Sequence, residues 1–309
     1  MTLVTTKQLL AKATKQHYAV GAFNVNNLEI LQAIIWAAEK QCSPVIVQTS
    51  EGAIKYAGLE ELHAMIRTLA ERSSIPMALH LDHGKDLELI KKCIRIGYTS
   101  VMIDGSKLPL EQNAVVTKKV VSWAHKKGVS VEAELGTIGG AEDLVSSRNI
   151  ILADPEVVHE FVQKTGCDSL AVAIGTSHGA YKFSGNPHLD LKRLQQIRKK
   201  TSIPLVLHGA SSVPEWLLRT AVQYGAFFPP AKGVPEEQLK QAIKLGIAKI
   251  NTDTDLRLAC DAGIRQFLSQ KPEDFDPRHI LGAARTVMQR VVEHRMSLFG
   301  SSGKAGVKA

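Results

Sequence analysis

Residues 76–83 read PMALHLDH, an apolar run that ends in an acid and an imidazole and meets Gly84 at once. Read as a strand, it opens on a proline, where a missing ladder donor is tolerated. It closes on side chains that can do chemistry. The pattern recurs in AVGAFNV (19–25), PVIVQTS (44–50), SVMIDGS (100–106), VSVEAELG (129–136), SLAVAIGTSHG (169–179), PLVLHGAS (204–211) and GIAKINTDTD (246–255). Between these runs lie segments with the apolar spacing of amphipathic helices, as at Leu28, Leu31, Ile35 and Ala38. Eight such strand–helix alternations predict an α/β fold closed as a (β/α)8 TIM barrel rather than an open doubly wound sheet. A barrel gathers its functional groups at the C-terminal ends of the strands. Asn24, Ser50, Asp82, His83, Asp104, Glu134, His178, His208, Asn251 and Asp253 all fall there.

The 309 residues suit one barrel of about 250 residues plus insertions. Residues 1–299 read as a single domain, and the Gly-, Ser- and Lys-rich stretch 300–309 as a flexible tail. A helix over Ile280–Leu298 lies beyond the last strand–helix unit, so extra C-terminal helices are expected to pad the barrel or join a subunit interface. Hydrophobic residues at 44% and charged residues at 22% are globular values. The net charge of +8 raises the question of nucleic acid, but aromatics are only 5% and the basic residues are dispersed. The densest basic run, Lys192, Arg193, Arg198, Lys199 and Lys200, falls on one expected helix and reads as a solvated face. A positive field suits an anionic metabolite instead. The four cysteines show no C-x-x-C spacing and read as reduced thiols. Neither a signal peptide nor a membrane-spanning run is legible, so a cytoplasmic protein is expected.

His83, His178 and His208 each stand directly before glycine at the end of a run. Three neutral ring nitrogens at a barrel mouth describe a zinc site with an open, catalytic position. Asp82, adjoining His83, either orients its surroundings or exchanges a proton with a bound substrate. Asp104 and Glu134 hold a second metal position or are satisfied barrel carboxylates; Glu132 shares a face with Glu134 and reads as a supporting group. The stretch LGTIGGAEDLVSSRN (135–149) carries Glu142 and Asp143 on a glycine-hinged loop, which either closes over the site or stays solvated. The loops HGASS and NTDTD suit phosphate. Gly209, Ala210 and Ser211 can form an anion nest, and Asn251, Thr252, Asp253 and Thr254 a second wall. Arg257 either reaches a further phosphate or lies on a helix surface. Lys249 alone invites a Schiff-base reading, and beside three histidines salt bridging or phosphate attraction is preferred.

Over essentially its whole length, the chain resembles the class II, zinc-dependent fructose-1,6-bisphosphate aldolases. HLDHG, MIDGS, EAELGxxGGxED, AIGTSHG, PLVLHGAS and INTDTDLR carry the resemblance. It implies His83, His178 and His208 as catalytic zinc ligands, with Asp104 and Glu134 as the second metal position. Asp82 would exchange a proton with the C4 hydroxyl and Glu142 would move the proton at C3. Gly179, Gly209 to Ser211 and Asn251 to Thr254 would bind the triose phosphate, and carbonyls near Gly179 a monovalent cation, Na+ or K+. Ser50, Arg257 and Arg278 would grip the far phosphate, Arg278 from a neighbouring subunit of a homodimer or homotetramer. A phosphorylated sugar is the expected partner, with no nucleic acid and no membrane. Two departures stand out: Ser212 and Val213 follow HGAS where many relatives have glycine, and FFPPAKGVPEE (227–237) lengthens the connection to the last strand. Tagatose 1,6-bisphosphate is the alternative substrate, but its aldolases tend to read INVATE in place of INTDTD. A metal-dependent hydrolase would place an H-x-H pair on the first strand, which AFNVNN lacks. A non-catalytic binder leaves the ligand set unexplained.

Overall fold

A computed structural model describes residues 3–142, 145–147, 150–178, 188–227 and 233–306; for 139–142, 145–147 and 177–178 it describes the backbone alone. The chain begins with α1 (Thr6–Gln16), β1 (Val20–Asn24), α2 (Leu28–Lys40), β2 (Val45–Ser50), α3 (Glu51–Ala57) and α4 (Leu59–Arg72). It continues through β3 (Met77–Gly84), α5 (Leu87–Ile96), β4 (Ser100–Ile103), α6 (Leu110–His125), β5 (Ser130–Leu135), β6 (Gly139–Glu142) and β7 (Val145–Ser147). Then come α7 (Pro155–Thr165), β8 (Ser169–Val172), β9 (Ser177–His178), α8 (Leu191–Lys200), β10 (Leu205–Leu207) and α9 (Glu215–Gln223). The last elements are α10 (Glu236–Lys244), β11 (Ile247–Thr252), α11 (Thr254–Gln270) and α12 (Pro277–Leu298).

Eight parallel strands close a barrel in the order β1-β11-β10-β8-β5-β4-β3-β2, as the alternation of runs predicts. Several helices start where side chains satisfy first-turn N–H groups. Asn27, Asp86, Asp154, Asp190 and Asp276 each accept such a bond. Their apolar stripes then face the strands; α2 buries Ile30, Leu31, Ile34, Ala37 and Ala38 in this way. The expected additional C-terminal helix is α12, which packs on α11 and α2.

An element that the run pattern does not announce closes the barrel's floor. α1 begins with a reciprocal cap between Thr5 and Gln8 and inserts Leu9, Leu10 and Ala13 against Val20, Ala22, Ile46, Ala78 and Ala248. The Thr6 hydroxyl meets Ser100 Oγ at 2.8 Å and Ser130 Oγ at 2.7 Å, joining this plug to β4 and β5.

Three expectations need correction. The run 169–179 is not one strand: β8 ends at Val172, and Gly175 adopts a left-handed φ of 104°, a turn that only glycine makes without strain. His178 therefore sits on the separate β9. Residues 135–149 are more than a loop, because β6 pairs antiparallel with β7 and parallel with β9. A Thr137–Ile151 bridge fastens their base. Finally, residues 301–305 of the expected tail make contacts with the body of the barrel. Gly303 N–H donates to the Gln41 carbonyl, Ala305 N–H to that of Cys42, and Ser301 is fully buried against Ser43.

Candidate active site

The C-terminal mouth of the barrel is built from polar residues that strand alternation turns inward. On β3, Ala78 lines the floor, and His80 and Asp82 share its inward face at a spacing of two. His83 should then point outward. The structure overrides this, because its φ of 47° and an irregular β3–β4 register between Leu81 and Gly84 re-aim the ring. Gly84 permits the kink: a Cβ there would stand 2.6 Å from the Met102 carbonyl oxygen.

Re-aimed, His83 meets His208, the first residue after β10. His83 Nε2 lies 2.8 Å from His208 Nδ1, and the rings meet edge-on with centroids 4.5 Å apart. Each ring gives its far nitrogen to a carboxylate. His83 Nδ1 is 3.2 Å from Asp104 Oδ2, and His208 Nε2 is 2.7 Å from Glu132 Oε1. Carboxylate contacts of this kind set the tautomer and direction of a metal-binding imidazole. The orienting carboxylate of His208 is thus Glu132, a role its sequence pattern suggested only as generic support.

Asp82 is 5% exposed and held from both sides. Its Oδ1 accepts from Asn251 Nδ2 at 2.9 Å and its Oδ2 from Asn24 Nδ2 at 3.0 Å; Gln48 Nε2 in turn donates to Asn24 Oδ1 at 2.7 Å. The carboxylate is fixed in place beside the two imidazoles. Ligand atoms of Asp82, His83 and His208 lie within 4.8 Å of one another, as do those of His83, Asp104 and Glu134.

The charge pattern fits a cation. Burial alone would lower the His83 pKa, yet the charges of Asp82, Asp104 and Glu134 carry it up to about 10. Burial also works against ionised Asp104, but bonds from His83 and Ser106 hold that carboxyl well below the usual range. Burial and the adjacent Asp104 charge push Glu134 well above it. Glu134 Oε2 is buried without a hydrogen-bond partner. Facing imidazole nitrogens, an orphaned carboxylate oxygen and a strongly negative field are the donor set a divalent ion needs.

Below this layer runs a polar group in which sequence reasoning missed His80, read Glu132 only as support and expected a salt bridge or phosphate attraction at Lys249. Lys249 Nζ sits 2.9 Å from Glu132 Oε2, both side chains fully buried. His80 places Nδ1 2.7 Å from Ser100 Oγ, and burial followed by the Lys249 charge holds it well below its ordinary pKa, hence neutral. Strand alternation from Asp82 was the available signal for His80.

The remaining expected residues divide. Ser50 caps α3, its Oγ accepting from Ala53 N–H at 3.1 Å, and pairs in register with Asp82. Gly209 turns left-handed at φ 60°, and Ala210, Ser211, Asn251, Thr252, Asp253 and Thr254 are all buried around the mouth. Arg257 forks onto Asp253 at 2.7–3.0 Å. Arg278 stands on the exposed first turn of α12, paired with Asp276. Gly179 lies outside the described residues, as do the side chains of His178 and Glu142. Their backbones belong to one small sheet, Gly140 of β6 pairing with His178 of β9.

Comparison with known proteins follows this geometry. A family model described as "Fructose-bisphosphate aldolase class-II" matches residues 4–227 and 230–304. The fructose-bisphosphate aldolase of Thermus caldophilus is 51% identical over 305 residues, covering 98% of this chain and 100% of its own. That of Helicobacter pylori (strain ATCC 700392 / 26695) is 47% identical, with 98% and 99% covered. Among solved structures, the YdjI aldolase from Escherichia coli K12 superposes with a TM-score of 0.81 at 33% identity, covering 98% of this chain and 99% of that one.

Proposed function

Because the chain belongs to the class II fructose-bisphosphate aldolase family, we propose that it cleaves fructose 1,6-bisphosphate reversibly into dihydroxyacetone phosphate and glyceraldehyde 3-phosphate, in glycolysis and gluconeogenesis. The observation that carries this reading is the placement of Asp82, a carboxylate clamped by Asn24 and Asn251 beside the facing imidazoles of His83 and His208. The family implies a divalent metal. We read it as zinc, held by His83, His178 and His208, with Asp104 and Glu134 as a second position. When bound, zinc would supply a Lewis acid that polarises the ketose carbonyl and offsets the charge released onto its oxygen.

The chain's own residues do the rest. Asp82 takes the proton from the C4 hydroxyl as the C3–C4 bond breaks, and the bond's electron pair passes toward C3 and the C2 carbonyl. In condensation Asp82 returns that proton to the aldehyde oxygen. The two amide donors hold it in one orientation in both directions, which is what proximity catalysis requires. Glu142 on β6 delivers the proton that C3 gains, and the pairing of β6 with β9 supports its place over the same mouth. Gly209, Ala210, Ser211 and Asn251 to Thr254 cradle the triose phosphate, with Gly179 and a monovalent cation, Na+ or K+, at the same end. Ser50, Arg257 and Arg278 bind the far phosphate, Arg278 across a subunit boundary of a homodimer or homotetramer. A Schiff base on Lys249 finds no support, because its ammonium is fully buried in an ion pair with Glu132.

We also read residues 1–299 as one catalytic domain, acting in the cytoplasm on a phosphorylated sugar. No helix among the described residues is long and apolar enough to cross a membrane. An aldol-cleavage assay before and after chelation tests the central reading. Activity should vanish with the metal and return on adding zinc; full activity in verified metal-free protein would overturn it.

A further inference from the structure

Among the described residues Arg295 is the largest fully buried side chain, 1% exposed, near the end of α12. It reaches inward to two segments that meet at the barrel mouth. Its Nε donates to Asp255 Oδ2 at 2.8 Å, its Nη1 to Ser212 Oγ at 2.9 Å, and its Nη2 to the Ser212 carbonyl. Ser212 directly follows Ser211 in the loop after β10, and Asp255 directly follows Thr254 at the start of α11. One planar group therefore bonds to the residue next to each wall of the phosphate cradle.

We propose that Arg295 is a positioning residue for phosphate binding, clamping the two walls of the cradle at a fixed separation from outside the barrel. This inference rests on the reading of Gly209–Ser211 and Asn251–Thr254 as that cradle. Three features give it weight. A guanidinium presents its donors in a rigid fork, so bonds to two segments constrain their relative position in a way a flexible ammonium does not. Asp255 is fully buried, and a phosphate dianion next to an unneutralised carboxylate would be repelled; Arg295 removes that charge. The loop is also held by direct backbone contact with the segment at Gly233. A Cβ on Gly233 would stand 2.4 Å from Ser212 Cα and 2.6 Å from the Ser211 carbonyl oxygen. Glu236, at the start of α10, adds a longer contact of 3.5 Å to Arg295 Nη1. The Ser212 hydroxyl, which departs from the glycine-bearing pattern, has a defined task here as an acceptor for Arg295.

Arg295→Lys and Ser212→Ala test the clamp in the metal-loaded enzyme, read by KM, kcat, competitive inhibition by inorganic phosphate, metal content and thermal melting. Losing the fork in Arg295→Lys should raise KM and the phosphate inhibition constant about tenfold while kcat and metal content stay near wild type. Ser212→Ala removes one acceptor and should raise both constants about threefold. It keeps the proposal testable if Arg295→Lys fails to fold. Unchanged KM in Ser212→Ala and in folded Arg295→Lys, or a loss confined to kcat or metal content, would overturn the clamp. Ser211→Ala separates this failure from a failure of the cradle itself. If Ser211→Ala raises KM and the clamp variants do not, the clamp alone is wrong; if none of the three raises KM, the cradle reading falls with it.

Discussion

The two ends of this barrel use the same strands and opposite chemistry. At the floor, Leu9, Leu10 and Ala13 of α1 fill the opening, and the buried hydroxyls of Thr6, Ser100 and Ser130 all find partners. At the mouth, carboxylates crowd together, Glu134 Oε2 and Asn251 Oδ1 go unpartnered, and His83 holds a strained left-handed backbone. Buried polar atoms left without partners cost stability, so they persist where function requires them. The floor is closed by packing, with the Tyr18 hydroxyl left without a partner, whereas the mouth gathers its orphaned atoms around facing imidazoles, where a ligand can complete them. Mutations at the two ends should therefore separate stability from turnover.

The sharpest separation is expected at Asp82. Asp82→Ala should lower kcat about 10²–10⁴-fold, as loss of a general acid–base does, with bound metal retained; metal analysis of the purified variant checks it, and loss of the metal would make Asp82 a structural orienter instead. At the other end, Leu10→Ala should cost about 2–5 kcal/mol of unfolding free energy by opening a cavity, while kcat of the folded fraction holds. Denaturant melts paired with steady-state assays would expose any leakage between the two ends. Between them, Glu132→Gln removes the carboxylate behind His208. Metal affinity should weaken about 10–100-fold, read by chelator competition on the apoprotein. An unchanged affinity would mean that Lys249 and Glu132 serve packing alone. The smallest effect belongs to Thr6→Ala, about 1 kcal/mol of stability, because Ser100 keeps its bond to His80.

Legibility also differed between the two ends. The mouth was readable because its polar residues terminate apolar runs, a one-dimensional signal that located Asp82, His83, Asp104, Glu134 and His208 together. The floor was not, because α1 precedes the first strand and stands outside the strand–helix alternation. Its own signals, the Thr5–Gln8 cap and the apolar residues at 9, 10 and 13, say that a helix forms but not what it covers. His80 and Arg295 escaped for a related reason. Each gains meaning from partners distant in the chain, Arg295 from residues 40 and 83 positions away. The broken strand at 173–176 followed from one left-handed glycine that apolarity does not register.

By itself, the sequence determined the barrel, its eight strands and the end at which chemistry would gather, because alternation and strand-end polarity are local properties of the chain. Only the tertiary structure decided how that chemistry is aimed. The alternation of β3 would send His83 away from His208, and a kink sheltered by Gly84 brings it back. Glu132 sets the direction of His208 across 76 residues of sequence, and one arginine of α12 ties that helix to the segments that follow β10 and β11. Side-chain periodicity fixes which face a residue occupies; the packing of distant segments fixes what it touches.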